Sequence, residues 1–427
     1  MNNSKPCKNC DDLERKNIEL EIKVKKLESK LSYYENPNSP PSVDSIYWRK
    51  QKKERKSTLP SKPGQKPGHK GTTHSFKPTR TIHHTAEKCS KCGSKNIIQT
   101  TQQSRIIAEI PKPSPITVTK HVIPSYLCKN CGSTTAVSGA IPKKGCLGFN
   151  IIGIITSLWS ARITLRNIAK MLKSFYSIEL SPACINNSLY NTSLALEPLV
   201  NKIRNDISSS DSAYFDETKY SINGDTGWIW TAVNHNSCFI TVENSRGRNV
   251  LQKYFGSFTG VAICDGWLPY KIFNTRQRCW AHILREAKHY SEKLDTLNSA
   301  SLYRYLQKLF LVTTLSKIKE PNQLAYDSSI KLLESIISEH VNEKELKKFL
   351  TKLYNAKDDL FTFLLYCTVE PTNNTAERAL REPIIHRKIR GCVRNQKGCK
   401  MFGNLMSCIM TWKMNNCNIL DEIVKYV

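Results

Sequence analysis

The sequence predicts a multidomain α/β protein whose core of strands and helices is interrupted by a helical insertion. Three observations predict it. Residues 206–292 alternate aromatic and β-branched runs with amphipathic ones, residues 293–367 are helical by pattern, and the first 150 residues carry a heptad seam, a basic Pro/Gly-rich stretch and paired cysteines. At 427 residues and 39% hydrophobic content the chain is long enough for several folded units and too apolar for wholesale disorder. Lys and Arg number 64 against 36 acids, a net charge of +28, so the expected partner is a large anion. The charge is uneven: residues 51–100 hold twelve basic side chains against two acids, whereas residues 201–250 hold five against six.

Residues 1–36 read as a coiled-coil helix. Leu13, Leu20 and Leu27 recur every seven, with Asn17, Val24 and Leu31 at the companion positions. A single polar Asn17 in that seam favours a parallel dimer in one register. The Cys7–Cys10 pair before it has no second pair nearby. Residues 37–86 read as a basic linker. Pro and Gly prevent regular elements, and Lys52, Lys53, Arg55 and Lys56 could lie along phosphates or simply be solvated.

Residues 87–145 carry two matching knuckles, Cys89-Ser-Lys-Cys92-Gly and Cys128-Lys-Asn-Cys131-Gly. Cys89, Cys92, Cys128 and Cys131 would close a tetrahedral Zn²⁺ site of structural type, a zinc ribbon. The runs RIIAEI and ITVTKHVIPSYLC between the knuckles suit a long hairpin. Residues 146–205 read as a helix-turn-helix-like domain, with Ser181 as N-cap and Pro182 as the first helical residue of its last helix. Asn186 and Asn187 on that helix could enter a major groove; an ordinary helical connector is the plainer alternative.

Residues 206–292 give strand, strand, strand, helix, strand, helix, the order of a ribonuclease-H-like catalytic core. Residues 293–367 form the insertion, and residues 368–427 resume the core with a basic segment. The whole is an α/β multidomain chain: a ribonuclease-H-like core with helical insertion, preceded by a coiled-coil helix, a zinc ribbon and a helix-turn-helix.

The chemistry points to carboxylates. Asp216 sits mid-strand in AYFDET and Asp265 ends the run VAICD. An acid inside an apolar strand is costly unless it is paired or ligates a cation. Glu377, early in the helix of PTNNTAERALR, is the natural third. Asp216, Asp265 and Glu377 together could hold two Mg²⁺ ions about 4 Å apart for an in-line displacement at phosphorus. Glu217 or Asp211 could take the place of Asp216, Asp265-Gly266 could be a plain turn, and Glu377 could pair only with Arg378 or Arg381. Neither GxSxG nor GxxxxGK[ST] occurs, which excludes a hydrolase elbow and a P-loop motor. Cys279 and His282 share one helical turn but are two ligands only, and packing is their larger expectation. Arg285, Arg378, Arg381, Arg387, Lys388 and Arg390 suggest a surface that grips a phosphate backbone.

These stretches together resemble the insertion-sequence 66 family of DDE transposases. GQKPGHKG, CSKCG, YLCKNCG, FDET with GWIW, CDGWLPY, CWAHILREAKHY, PTNNTAERALR and HRKIRG carry the resemblance, in order and over nearly the whole chain. It implies a zipper-like helix, a zinc-binding domain, a helix-turn-helix and an acidic triad at Asp216, Asp265 and Glu377. It also implies Mg²⁺-dependent cleavage and strand transfer of double-stranded DNA at element ends, a homodimer or higher assembly, and possible small accessory proteins of the same element. The chain departs from the family pattern in DGWLPY and in IRGCVRNQKG, which touch the DNA-lining side chains and not the acids. The alternative is a DNA-binding regulator, or an inactive element-derived protein, that binds ends without cutting. A polar N-terminus and a longest apolar run of Ile151–Trp159 predict no secretory leader and no membrane span, hence a cytoplasmic protein on DNA.

Overall fold

The computed structural model describes residues 77–427 except 85, 88, 89, 97, 100–102, 108–115, 123, 124, 128, 132, 137–141, 143, 144 and 319. The expected coiled coil, Cys7, Cys10, most of the linker with Lys52, Lys53, Arg55 and Lys56, and the knuckle residues Cys89 and Cys128 lie outside the described residues. The chain divides into two compact units, residues 1–112 and 113–427. In the first, no described residue is in a helix or strand, and Cys92 is exposed in a turn. Of the two runs expected to form a hairpin, only part lies within the described residues, and there Ser125–Leu127 is a strand while the rest is not. Residues 103–107 and 116–122 are not strands, and Ile106 and Ile107 are 62% and 77% exposed. Alternating apolar residues make a stable strand only where one face finds cover.

In the second unit a short antiparallel pair, β1 (Ser125–Leu127) and β2 (Thr134–Ala136), flanks the exposed Cys131. Four helices follow: α1 (Phe149–Ser160), α2 (Leu165–Tyr176), α3 (Pro182–Ala195) and α4 (Glu197–Ser208). Thr164 and Ser181 cap α2 and α3, their hydroxyls accepting N–H groups three residues on at 3.4 and 3.1 Å. Ile185 and Leu189 turn inward, which leaves Asn186 and Asn187 exposed.

The centre is a five-stranded mixed sheet: β3 (Ser212–Ile222), β4 (Asp225–Val233), β5 (Cys238–Glu243), β6 (Val261–Cys264) and β7 (Thr275–Arg278), in spatial order β5-β4-β3-β6-β7. The first three are antiparallel, and β6 and β7 run parallel to β3. Asn223 and Gly224, both at positive φ (54° and 96°), join β3 to β4 in a two-residue hairpin. Such a turn matches strand twist only when both residues accept left-handed backbone. Between β5 and β6 lies α5 (Arg248–Phe255). Phe215 of β3 is sealed beneath the sheet by Phe255, Phe258 and Phe273, with ring centroids 4.6–5.4 Å away. Burying such a ring contributes about 1.5–3 kcal/mol.

After β7 comes α6 (Trp280–Leu294), then the insertion: α7 (Leu297–Leu315), α8 (Gln323–Glu339), α9 (Lys347–Tyr354) and α10 (Lys357–Leu360). It has its own apolar cluster, built on Leu302, Leu306, Phe349 and Leu353, which also takes in Val261 and Ile263 of β6 and Trp280 of α6. Two core side chains tie it down. Gln277 of β7 donates to the Leu360 carbonyl at 3.0 Å and accepts the Phe363 N–H at 2.8 Å, and the Trp280 indole N–H meets the same Leu360 carbonyl at 2.7 Å.

The chain then returns in α11 (Asn374–Arg390), packed on β3 and β4, and in α12 (Gln396–Met414), packed along β5. An open sheet edge is a liability; Ser407 and Thr411 of α12 accept the β5 N–H groups of Ile240 and Cys238 at 2.8 and 3.0 Å. A short α13 (Ile419–Val424) rests on α1. Among the described residues no helix is long and apolar enough to cross a membrane.

Candidate active site

Alternation along β3 sends Phe215 to one face and Asp216 to the other. The parallel register pairs Tyr214 with Ile263; Asp216 stands two residues further along β3, and Asp265 two residues on, just past the end of β6. The first turn of α11 brings Glu377 to the same place, its N–H bonded to the Asn373 carbonyl at 3.2 Å. The three acids predicted from sequence therefore act on one another. Burial foremost, then the charges of Glu217, Asp265 and Glu377, push the Asp216 carboxyl up to about 8. Asp216 Oδ1 accepts the Glu217 N–H at 2.9 Å, and Asp265 Oδ1 accepts the Trp267 N–H at 2.8 Å.

Glu217, the rival acid, is already engaged. Arg246 donates to one oxygen at 2.8 Å, and the Tyr270 hydroxyl donates to the other. Arg246 is itself held between Trp228 and Trp267, 4.6 and 3.9 Å from their ring centroids. The GWIW and DGWLPY stretches thus form one clamp on the residue beside Asp216. Asp211, the other rival, is exposed.

A second device joins the backbones that carry the acids. Asn373, fully buried, donates through its amide to the carbonyl of Phe215, next to Asp216, at 2.8 Å. Its N–H points at Cys279 Sγ, 3.1 Å away. The Cys279 N–H in turn donates to the carbonyl of Cys264, next to Asp265, at 2.9 Å. Each acid therefore sits one bond from a residue fixed by this chain or, for Glu377, on the helix that Asn373 opens.

Cys279 Sγ, a His282 ring nitrogen and a Glu377 oxygen lie within 4.8 Å of one another, a group able to hold a metal that shares Glu377 with the acid trio. Burial, then the Arg285 charge, lowers the His282 pKa, so the ring is neutral near pH 7. Glu377 Oε1 and His282 Nδ1 are buried without a hydrogen-bond partner among the described residues. Orphaned oxygen in a field of like charge fits a hard divalent cation, which would relieve the repulsion among Asp216, Asp265 and Glu377.

Of the cations expected to grip DNA, Arg285, Arg378, Arg381 and Lys388 are exposed. Arg387 donates to the Lys219 carbonyl. Arg390 is spent inside the protein: it donates to the Trp159 and Ile163 carbonyls at 2.7 and 3.0 Å and lies 4.3 Å over the Trp159 ring. Sequence reasoning did not single out Arg246, Tyr270, Asn373 or Arg278. Trp228, Trp267 and the doubled Asn of PTNNT were the available signals for the first three; Arg278 had none.

This architecture defines a class: an α/β protein with carboxylates gathered from the middle of one strand, the end of a parallel neighbour and the first turn of a helix. A family model described as Transposase IS66 family matches residues 145–401, more than half of the chain. The chain belongs to that family of transposases, enzymes that bind and cut DNA, and its DDE type points to divalent-metal use. A search of curated proteins gave no match.

The raised Asp216 pKa has a sign that can be measured. A carboxyl at about 8 in the folded protein against an ordinary 3.8 makes a stabilising contribution that is complete below about pH 4 and is lost as pH rises through 8. The metal-free protein is expected to lose thermal stability between about pH 4 and pH 8 and to level off above that, with the loss much reduced in Asp216→Asn. Equal pH slopes in the two proteins would exclude the assignment.

Proposed function

We propose that the sheet with α5, α6, α11 and α12 is a ribonuclease-H-like nuclease core that cuts DNA at the ends of a mobile element and joins the freed 3′-hydroxyl to target DNA. The observation that carries the reading is the convergence of Asp216, Asp265 and Glu377 in a chain of a transposase family. The strand order, three antiparallel strands followed by two parallel ones, supports it.

Two Mg²⁺ ions bound there would supply an activated nucleophile and stabilise the leaving oxygen. The protein's own part is to hold the carboxylates in place. Asn373 and Cys279 fix the backbones beside Asp216 and Asp265, and Arg246 with Tyr270 keeps Glu217 out of the pocket. Arg285, Arg378, Arg381 and Lys388 bind backbone phosphates, which orient the strand without reading its sequence. Recognition of the ends falls to Asn186 and Asn187 on α3, to the cysteine knuckles and to the basic arm with Lys52, Lys53, Arg55 and Lys56. Two ends must be cut together, so the working form is a dimer or a larger assembly, with accessory proteins of the element as further partners.

The test is strand cleavage of a duplex that carries one end of the element encoding this chain. Cleavage is expected with Mg²⁺ and is expected to vanish on chelation. Binding without cleavage under any divalent ion would instead establish an end-binding regulator.

A further inference from the structure

Beside the acid trio is a pocket of about 430 Å³, walled by the ends of β6 and β7 on one side and by α9 of the insertion on the other. Asp265 lines it, and so do five cations. Two of those are neutralised. Arg276 pairs with Asp359 at 2.7 Å, and Lys352 pairs with Glu286. Arg278, Lys271 and Lys348 have no ion pair among the described residues.

Arg278 is the anomaly. It ends β7, paired in register with Cys264, so it stands one residue from the level of Asp265. Its guanidinium makes no hydrogen bond among the described residues, and its Nε is buried without a partner. A guanidinium carries five donors and stays charged, so leaving it half-buried with no hydrogen bond is costly. The charges of Asp359, Glu286 and Asp265 reach it, yet burial outweighs them and lowers its pKa. Nor is its position incidental. A Cβ on Gly266 would lie 2.1 Å from Arg278 Nη2, so in this position the guanidinium lies against the bare backbone of Asp265-Gly266.

We propose that this pocket is a phosphate subsite, in which Arg278, flanked by Lys271 and Lys348, takes a backbone phosphodiester of the DNA strand adjacent to the bond held at the acid trio. The proposal rests on the nuclease reading of that trio. The planar fork of Arg278 matches two phosphate oxygens, and the two lysines add point charge without geometric demand. A backbone phosphate is the favoured occupant because the pocket shares Asp265 with the trio, so a strand lying across the acids continues into it. The insertion gains a role as well: α9 forms the outer wall and contributes Lys348.

The test uses the full-length protein and the end-bearing duplex, with one neutral methylphosphonate linkage walked along each strand. In the wild type, one or two linkages next to the cleavage point should weaken binding about tenfold, the scale of a lost charge-assisted hydrogen bond. Arg278→Gln should bind the unmodified duplex about tenfold more weakly and be indifferent to those same linkages, with a slope of log affinity on log salt shallower by about one. If Arg278→Gln does not fold, the exposed pair Lys271→Gln/Lys348→Gln should lose a few-fold in affinity at the same linkages. A linkage profile in the variants identical to the wild type overturns the subsite. So does stabilisation of the wild type, but not of Arg278→Gln, by inorganic phosphate with no linkage effect, which would mean a pocket for a free anion. A wild type that neither binds nor cuts the duplex refutes the nuclease reading itself.

Discussion

Glu377→Gln is expected to lower Mg²⁺-dependent strand cleavage by at least about 10³-fold, since several kcal/mol of charge stabilisation in the transition state depend on the carboxylates. Gln keeps the size and one acceptor oxygen but removes the negative charge, so the first turn of α11 need not change. Asp216→Asn and Asp265→Asn should be equally severe. DNA affinity should change little or improve, because an anion leaves a surface that meets phosphates. Stability should move against activity. Asp216 is half-buried and pressed by Glu217, Asp265 and Glu377, so Asp216→Asn should make the metal-free protein more resistant to heat above pH 8. An acid serving only the fold would lose stability and activity together, and that joint loss would count against the site.

Trp280→Ala is expected to destabilise the protein by about 3–5 kcal/mol, read as a lower denaturant midpoint at constant slope. Trp280 is fully buried where α6 meets the insertion, with Phe310 and Phe361 at centroid distances of 5.4 and 5.5 Å. Truncation leaves a cavity between two elements with no side chain ready to fill it. The Trp280 backbone N–H also donates to the Pro371 carbonyl at 3.0 Å, just before the helix that carries Glu377. The indole thus secures the insertion, while the backbone N–H, which the substitution keeps, secures the seat of the third acid. Trp280→Phe should recover part of the loss by refilling the space, without the indole bond to Leu360. A Trp280→Ala protein as stable as the wild type would mean that the insertion is not anchored there.

The acids were legible because each breaks a local rule. Asp216 interrupts an aromatic strand and Asp265 ends an all-apolar one, and such placement demands a partner. The first four strands of the sheet, with α5 and α6, were legible from periodicity. β7 was not: Thr275–Arg278 reads as polar loop, and it becomes a strand only because β6 offers a parallel edge and Gln277 is claimed by the backbone of the insertion. Asn373 reads as one helix cap among several, and only the fold brings its amide to a carbonyl 158 positions away. The basic run of α11 read as one gripping face. Packing against β3, β4 and Trp159 divides it, with Arg387 and Arg390 bonded to backbone while Arg378, Arg381 and Lys388 remain exposed. Charge counts cannot tell those two groups apart, because helix rotation is set by the apolar neighbours.

The most direct measurement is an anomalous difference map from crystals grown with Mn²⁺, an ion that accepts the same oxygen ligands as Mg²⁺ and scatters strongly enough to locate. The account predicts density between the carboxylates of Asp216 and Asp265, with Glu377 in its coordination shell, and no such density in crystals of Asp216→Asn. Manganese bound elsewhere in the core, with those three side chains turned away from it, would contradict the account.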